Sequence, residues 1–141
     1  MLRLLALPAA LGLLVIAFDA TAAPASAPHA AACVAALAAQ ESSLIETLKA
    51  GAAVEPELQK VVRSGITLIG TQYLAGLREA EARQLLKAAE RDFQALPQAS
   101  AEARQSECLN EGEALYARAS ALERSLISTA AERRIKRLRA A

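Results

Sequence analysis

Apolar residues in this chain recur at steps of three, four and seven, the spacing of one face of an α-helix. From His29 to Ala50 the marks are Cys33, Leu37, Leu44 and Leu48, and Gly51 supplies a stop. A second helix is predicted to open at Glu55-Pro56-Glu57, with proline at the first helical position and carboxylates at the positive end of the helix dipole. Its stripe runs through Leu58, Val62, Ile66, Ile69, Tyr73 and Leu77, then Leu86, Ala89, Phe93 and Leu96, until Pro97 ends it. A third helix takes Ser100 as N-cap, has Glu102 in its first turn and runs to about Arg139. Cys108, Leu115 and Leu122 lie seven apart, flanked by Gly112, Ala119 and Leu126, which reads as a short coiled-coil-like seam. Glu79 with Arg83 and Glu132 with Lys136 add exposed pairs at i,i+4.

The expected fold is therefore all-α: a small helical bundle of three long antiparallel helices. Gly65, Gly70 and Gly76 are weak points in the long second helix, each costing about 1 kcal/mol against alanine. The β-branched cluster between Gly65 and Gly70 leaves a short strand as an alternative. No partner strand is visible, so a bend or break of the helix there is preferred.

The start of the chain breaks the amphipathic pattern. Met1-Leu2-Arg3 carries one positive charge, Leu4 to Phe18 is almost unbroken apolar sequence, and Ala20-Thr21-Ala22 is an A-x-A exit. Residues 1–22 are read as a signal peptide cleaved between Ala22 and Ala23. A cut after Ala25-Ser26-Ala27 is disfavoured by Pro28. A membrane anchor would need about 20 apolar residues, and this run is about 15 with Pro8 inside it. Lipidation at Cys33 is discounted because Cys33 lies far beyond the apolar run. Residues 23–28, with two prolines, read as a flexible tether, and 29–141 as one helical domain.

Composition agrees with helix. The chain is rich in alanine, leucine, glutamate and arginine, lacks tryptophan, and beyond the signal has only Tyr73, Phe93 and Tyr116 as aromatics. Sixteen Lys and Arg against 15 Asp and Glu give a net charge of +1, which signal removal leaves unchanged because Arg3 and Asp19 go together. Neither that balance nor export favours nucleic acid as a partner.

Cys33 and Cys108 are the two cysteines of a chain expected in an oxidising compartment, so a structural disulfide is the preferred reading. It conflicts with three straight helices. In that arrangement Cys33 lies level with Tyr73 and Cys108 with about residue 86, so the cysteines are about 20 Å apart, whereas a disulfide needs Cα atoms within about 7 Å. A break between Gly65 and Gly70 is the preferred escape. A bond between two chains is the alternative.

The chemistry-bearing residues are few. His29 and Cys33 are four apart, with Cys108 and Glu107 or Glu111 as further donors. A metal or redox role for His29, Cys33 and Cys108 is therefore the alternative to the disulfide, which is preferred, and no metal or cofactor is expected. There is no CxxCH, phosphate loop, nucleophile elbow or second histidine. Glu111 and Glu113 point to different helix faces, so no catalytic residue is assigned and no enzyme is expected.

Arg133, Arg134, Lys136, Arg137 and Arg139 complement the dipole at a helix C-terminus. As an alternative they form a contact patch for anionic lipid, with Ile135 and Leu138 inserting. The apolar stretch from Ile66 to Leu77 is core unless the bundle fails to cover it, in which case it is a surface for an oligomer or partner. The reading is of an exported, periplasmic or secreted, non-enzymatic helical protein: a binding or envelope-associated module acting on a protein partner or on its own copies.

Overall fold

The computed structural model describes residues 26–141. The signal peptide, its cleavage point at Ala22/Ala23 and the first residues of the tether lie outside the described residues. Five helices follow one another: α1 (Ala27–Lys49), α2 (Glu55–Leu74), α3 (Glu79–Gln94), α4 (Gln98–Arg118) and α5 (Ala121–Ala140). The expectation of three long helices is corrected, because each of the two longer ones divides. No strand occurs among the described residues, which removes the alternative for Gly65–Gly70.

The first division is not where the glycine pair suggested. α2 runs through Gly65 and Gly70 without interruption and stops at Leu74. The reversal uses Gly76, whose φ of 106° lies in the left-handed region that only glycine adopts at little cost. Gly51 does the same after α1, with φ 96°. Gly65 and Gly70 have ordinary helical neighbours on both sides, so their propensity penalty is outweighed by the burial of Val61, Val62 and Leu68 around them.

The second division falls at Ala119-Ser120. Ser120 caps α5: its hydroxyl accepts from the Glu123 amide at 3.2 Å, and the Glu123 carboxylate accepts from the Ser120 amide at 2.7 Å. This reciprocal capping box starts a new helix instead of continuing the old one. The predicted start of α4 is also corrected, since Pro97 occupies the N-cap and Ser100 lies inside the helix. At the other end, Ser26 accepts from the His29 amide at 3.3 Å, so α1 begins at Ala27, within the segment expected to be tether.

The helices alternate in direction. Cys33 faces Cys108, and His29 faces Glu111, so α1 and α4 are antiparallel. Arg63 and Ser64 meet Glu113, and further along both helices Thr71 and Arg118 line one groove, so α2 and α4 run parallel. Ala131 and Ile135 of α5 pack against Leu58 and Val62, which makes α5 antiparallel to α2.

α1 lies in the middle of this arrangement because alanine lets its neighbours close in. Ala30, Ala31, Ala35 and Ala36 are buried, and Ala31 and Ala35 pack with Ala89 of α3. One core joins Cys33, Ala36, Leu37, Val61, Leu68 and Cys108, and a second joins Ile45, Leu58, Val62, Ala131 and Ile135. α2 and α4 approach so closely that a Cβ on Gly112 would stand 2.5 Å from Ser64 Cβ and 2.9 Å from Ser64 Cα.

Because α3 turns back at Gly76, the conflict over the cysteines disappears. The Cα atoms of Cys33 and Cys108 are 5.1 Å apart, bonded within one chain. Among the described residues, no helix is long and apolar enough to cross a membrane.

Candidate functional site

Two places on the bundle combine geometry with exposure. The first is polar and surrounds the disulfide. Both cysteines are buried, at 1% and 2% exposure, while the edge above them is open. His29, one turn before Cys33, places Nε2 2.8 Å from Glu111 Oε2, and its side chain is half exposed. Cys33 Sγ lies 3.8 Å from His29 Nε2 and 3.9 Å from Glu111 Oε2. Ala32, Arg104, Glu107 and Cys108 complete the lining of a pocket of about 270 Å³. The structure thus gathers the predicted set of His29, Cys33 and Cys108, and chooses Glu111 as the carboxylate in contact.

The second place is apolar. α2, the end of α4 and the first half of α5 enclose an open groove of about 540 Å³, lined by Ile66, Tyr73, Leu74, Leu115, Leu126 and Ile127 among others. Leu74 is 85% exposed, Leu126 63% and Tyr73 43%, and Leu122 at 70% stands on the same helix as Leu126, one turn earlier. The bundle therefore covers the stretch from Ile66 to Leu77 only in part: Leu68 is buried in the core, and Tyr73 and Leu74 are left outside. The predicted seam fails for the same reason. Cys108 is buried and Leu115 packs beside the core, but the break at Ser120 redirects the chain and leaves Leu122 in solvent. Arg118 and Glu123, unlike charges, both line the groove.

Ion pairs hold the frame around these places. Arg63 donates to both oxygens of Glu113 at 2.9 and 2.6 Å, Ser64 adds a bond at 3.2 Å, and Arg63 stacks over the Tyr116 ring at 4.6 Å. The hydrogen bond from Arg63, helped by its charge, holds the Glu113 carboxyl below its ordinary range against the opposing effect of burial. Arg134 forms a similar fork on Glu41 at 2.9 and 2.8 Å. Sequence reasoning did not find either pair, since nothing in linear spacing links residues 50 or 93 apart. The Ser120-x-x-Glu123 pattern, by contrast, carried a legible capping-box signal.

The basic C-terminal residues are divided by the fold. Arg134 is committed to Glu41, and Arg139 lies 3.5 Å from Glu55. Arg133, Lys136 and Arg137 remain exposed. Ile135 is 4% exposed and Leu138 packs on the second core, so neither is free to insert into lipid. Of the two helical pairs, Glu79 and Arg83 meet at 3.2 Å, whereas Glu132 and Lys136 form no ion pair. Glu111 and Glu113 diverge onto α1 and α2 respectively.

No protein-family model matches the chain, and neither the curated proteins nor the solved structures include one significantly similar to it.

Proposed function

We propose that this protein is an exported, non-enzymatic helical interaction module, and that its working surface is the groove between α2, α4 and α5. Export to the periplasm or beyond is supported by the leader pattern of residues 1–22 and by the paired cysteines. The observation that carries the binding role is the cluster of exposed large side chains, Tyr73, Leu74, Leu122 and Leu126, in and beside one apolar groove. Scattered apolar residues on a surface are ordinary, but a contiguous set around a concavity marks a contact site.

The occupant proposed is a second copy of this chain. Leu122 and Leu126, four residues apart, form the projecting stripe of a helix suited to a groove of this kind. Arg118 and Glu123 give the groove one cation and one anion, so a two-fold arrangement can bring unlike charges together across the contact.

Sedimentation of the mature protein over a concentration series tests this. A reversible monomer–dimer equilibrium, weakened at least about 10-fold in Leu126→Glu, is the expected result. A strict monomer throughout, or a dimer indifferent to Leu126→Glu, overturns the self-association. A monomer that binds an added amphipathic peptide in the groove would assign the surface to a different partner and equally reject the second copy.

A further inference from the structure

The polar pocket around the disulfide holds more donor atoms than a structural crosslink requires. His29 Nε2, Cys33 Sγ and Glu111 Oε2 lie within 4.8 Å of one another, contributed by two helices that the core holds in register. Cys108 lines the same pocket, with its Cα 5.1 Å from that of Cys33. We propose that the Cys33–Cys108 disulfide masks a redox-gated site for a thiophilic divalent cation of the zinc class, with His29, Cys33, Cys108 and Glu111 as its four ligands.

The geometry is close to what such an ion demands. Zinc bonds thiolate at about 2.3 Å and imidazole or carboxylate at about 2.0–2.2 Å in a tetrahedron, which sets neighbouring ligand atoms about 3.3–3.8 Å apart. Cys33 Sγ already stands 3.8 Å from His29 Nε2 and 3.9 Å from Glu111 Oε2. Two contacts have to open: the sulfurs, bonded at 2.10 Å, part when the disulfide is reduced, and the His29–Glu111 contact, at 2.8 Å, joins two side chains at the solvent edge. The buried sulfurs belong to α1 and α4, and the movable ligands sit above them.

Redox state controls the site through the number of anionic sulfurs. In the disulfide form a cation meets one imidazole and one carboxylate that already bond each other. A dithiol reductant delivers two electrons and two protons, the S–S bond breaks, two thiols form, and the reductant closes to its own disulfide. The cation then displaces both thiol protons as it bonds two thiolates. Two thiolates and one carboxylate exceed the charge of a divalent ion by one; of the other charged groups lining the pocket, Arg104 offsets that excess and Glu107 adds to it. The cation replaces the lost crosslink, because it again ties α1 to α4.

Cobalt(II) is the probe, titrated into mature protein reduced with a phosphine that is then removed anaerobically. The reduced form is expected to bind one cobalt per chain, with thiolate-to-cobalt charge-transfer absorption and visible bands of tetrahedral intensity. Its affinity should be at least about 100-fold above that of the disulfide form. His29→Ala and Glu111→Gln should each weaken binding by about 10-fold or more. Far-UV circular dichroism, recorded alongside, should show helix kept or regained on cobalt addition. Any one of four results overturns the proposal: no thiolate band after reduction, equal affinity in both redox states, affinity unchanged in both variants, or binding by a chain that stays unfolded. None of these bears on the groove, so this site and the interaction surface stand or fall separately.

Discussion

The two halves of α5 carry similar residues to different ends. In the second half Ala131 and Ile135 drop into a core with Ile45, Leu58 and Val62, and Arg134 and Arg139 fasten the helix to Glu41 and Glu55. In the first half Leu122 and Leu126 are mostly exposed beside a groove. Helix propensity and apolar spacing do not distinguish the two halves. The difference is whether α1 and α2 together lie beneath: α5 rests near both where Glu41 and Arg134 meet, and only α2 and the end of α4 flank it near Ser120. A leucine on an amphipathic stripe is therefore core or contact surface according to what the neighbouring helix ends leave uncovered.

Substitutions that contrast the halves have effects of very different size. Ile135→Ala should lower unfolding stability by about 2–4 kcal/mol in urea melts, through lost burial plus a residual cavity. Leu126→Ala, in the same helix, should stay within about 0.5 kcal/mol of the parent. If the two losses were equal, the division of α5 into a packed and an unpacked half would be wrong.

Gly112→Ala probes the closed side of α2. The new Cβ meets the backbone as well as the side chain of Ser64, so α2 and α4 must separate, at a cost of about 1–3 kcal/mol by thermal melting. A melting temperature equal to the parent's would show that the close approach is not needed.

Smaller, and dependent on pH, is the contribution of Arg63 and Glu113. Folding lowers the Glu113 pKa, so its stabilisation is fully present above the unfolded carboxylate pKa of about 4.3 and is lost as pH falls through the lower folded value. Glu113→Gln should accordingly be less stable than the parent at neutral pH and approach it as the solution is acidified. Parallel stability curves for the two proteins across the acid range would contradict this assignment.

Much of the fold could be read before any coordinates. Gly51 as a stop and the Glu55-Pro56-Glu57 start follow from local signals, and the pairing of Cys33 with Cys108 from two cysteines in a chain expected to be exported; the structure has all three. The apolar stripe misled as to the helix count: Leu77 and Leu86 are nine residues apart, about half a turn out of phase on a single helix, and that slip marks the reversal at Gly76. Nor did propensity alone tell Gly65 and Gly70, which sit partly buried inside α2, from Gly76, which bears the positive φ. The polar donor set was legible as residue types at helical spacing, and its assembly depended on the antiparallel register of α1 and α4. The groove was foreshadowed only as an apolar stretch on α2. Its other wall depends on a break at Ser120 that the seam of sevens concealed.

Methyl nuclear magnetic resonance through a dilution series of the mature protein tests the central contrast most directly. The methyl signals of Leu74, Leu115, Leu122 and Leu126 should shift together along one binding curve that matches the change in mass, while those of Ile45, Leu58 and Ile135 stay fixed. Groove signals that do not move with concentration, or core signals that move as much, would contradict the assignment of this groove as the surface through which the protein works.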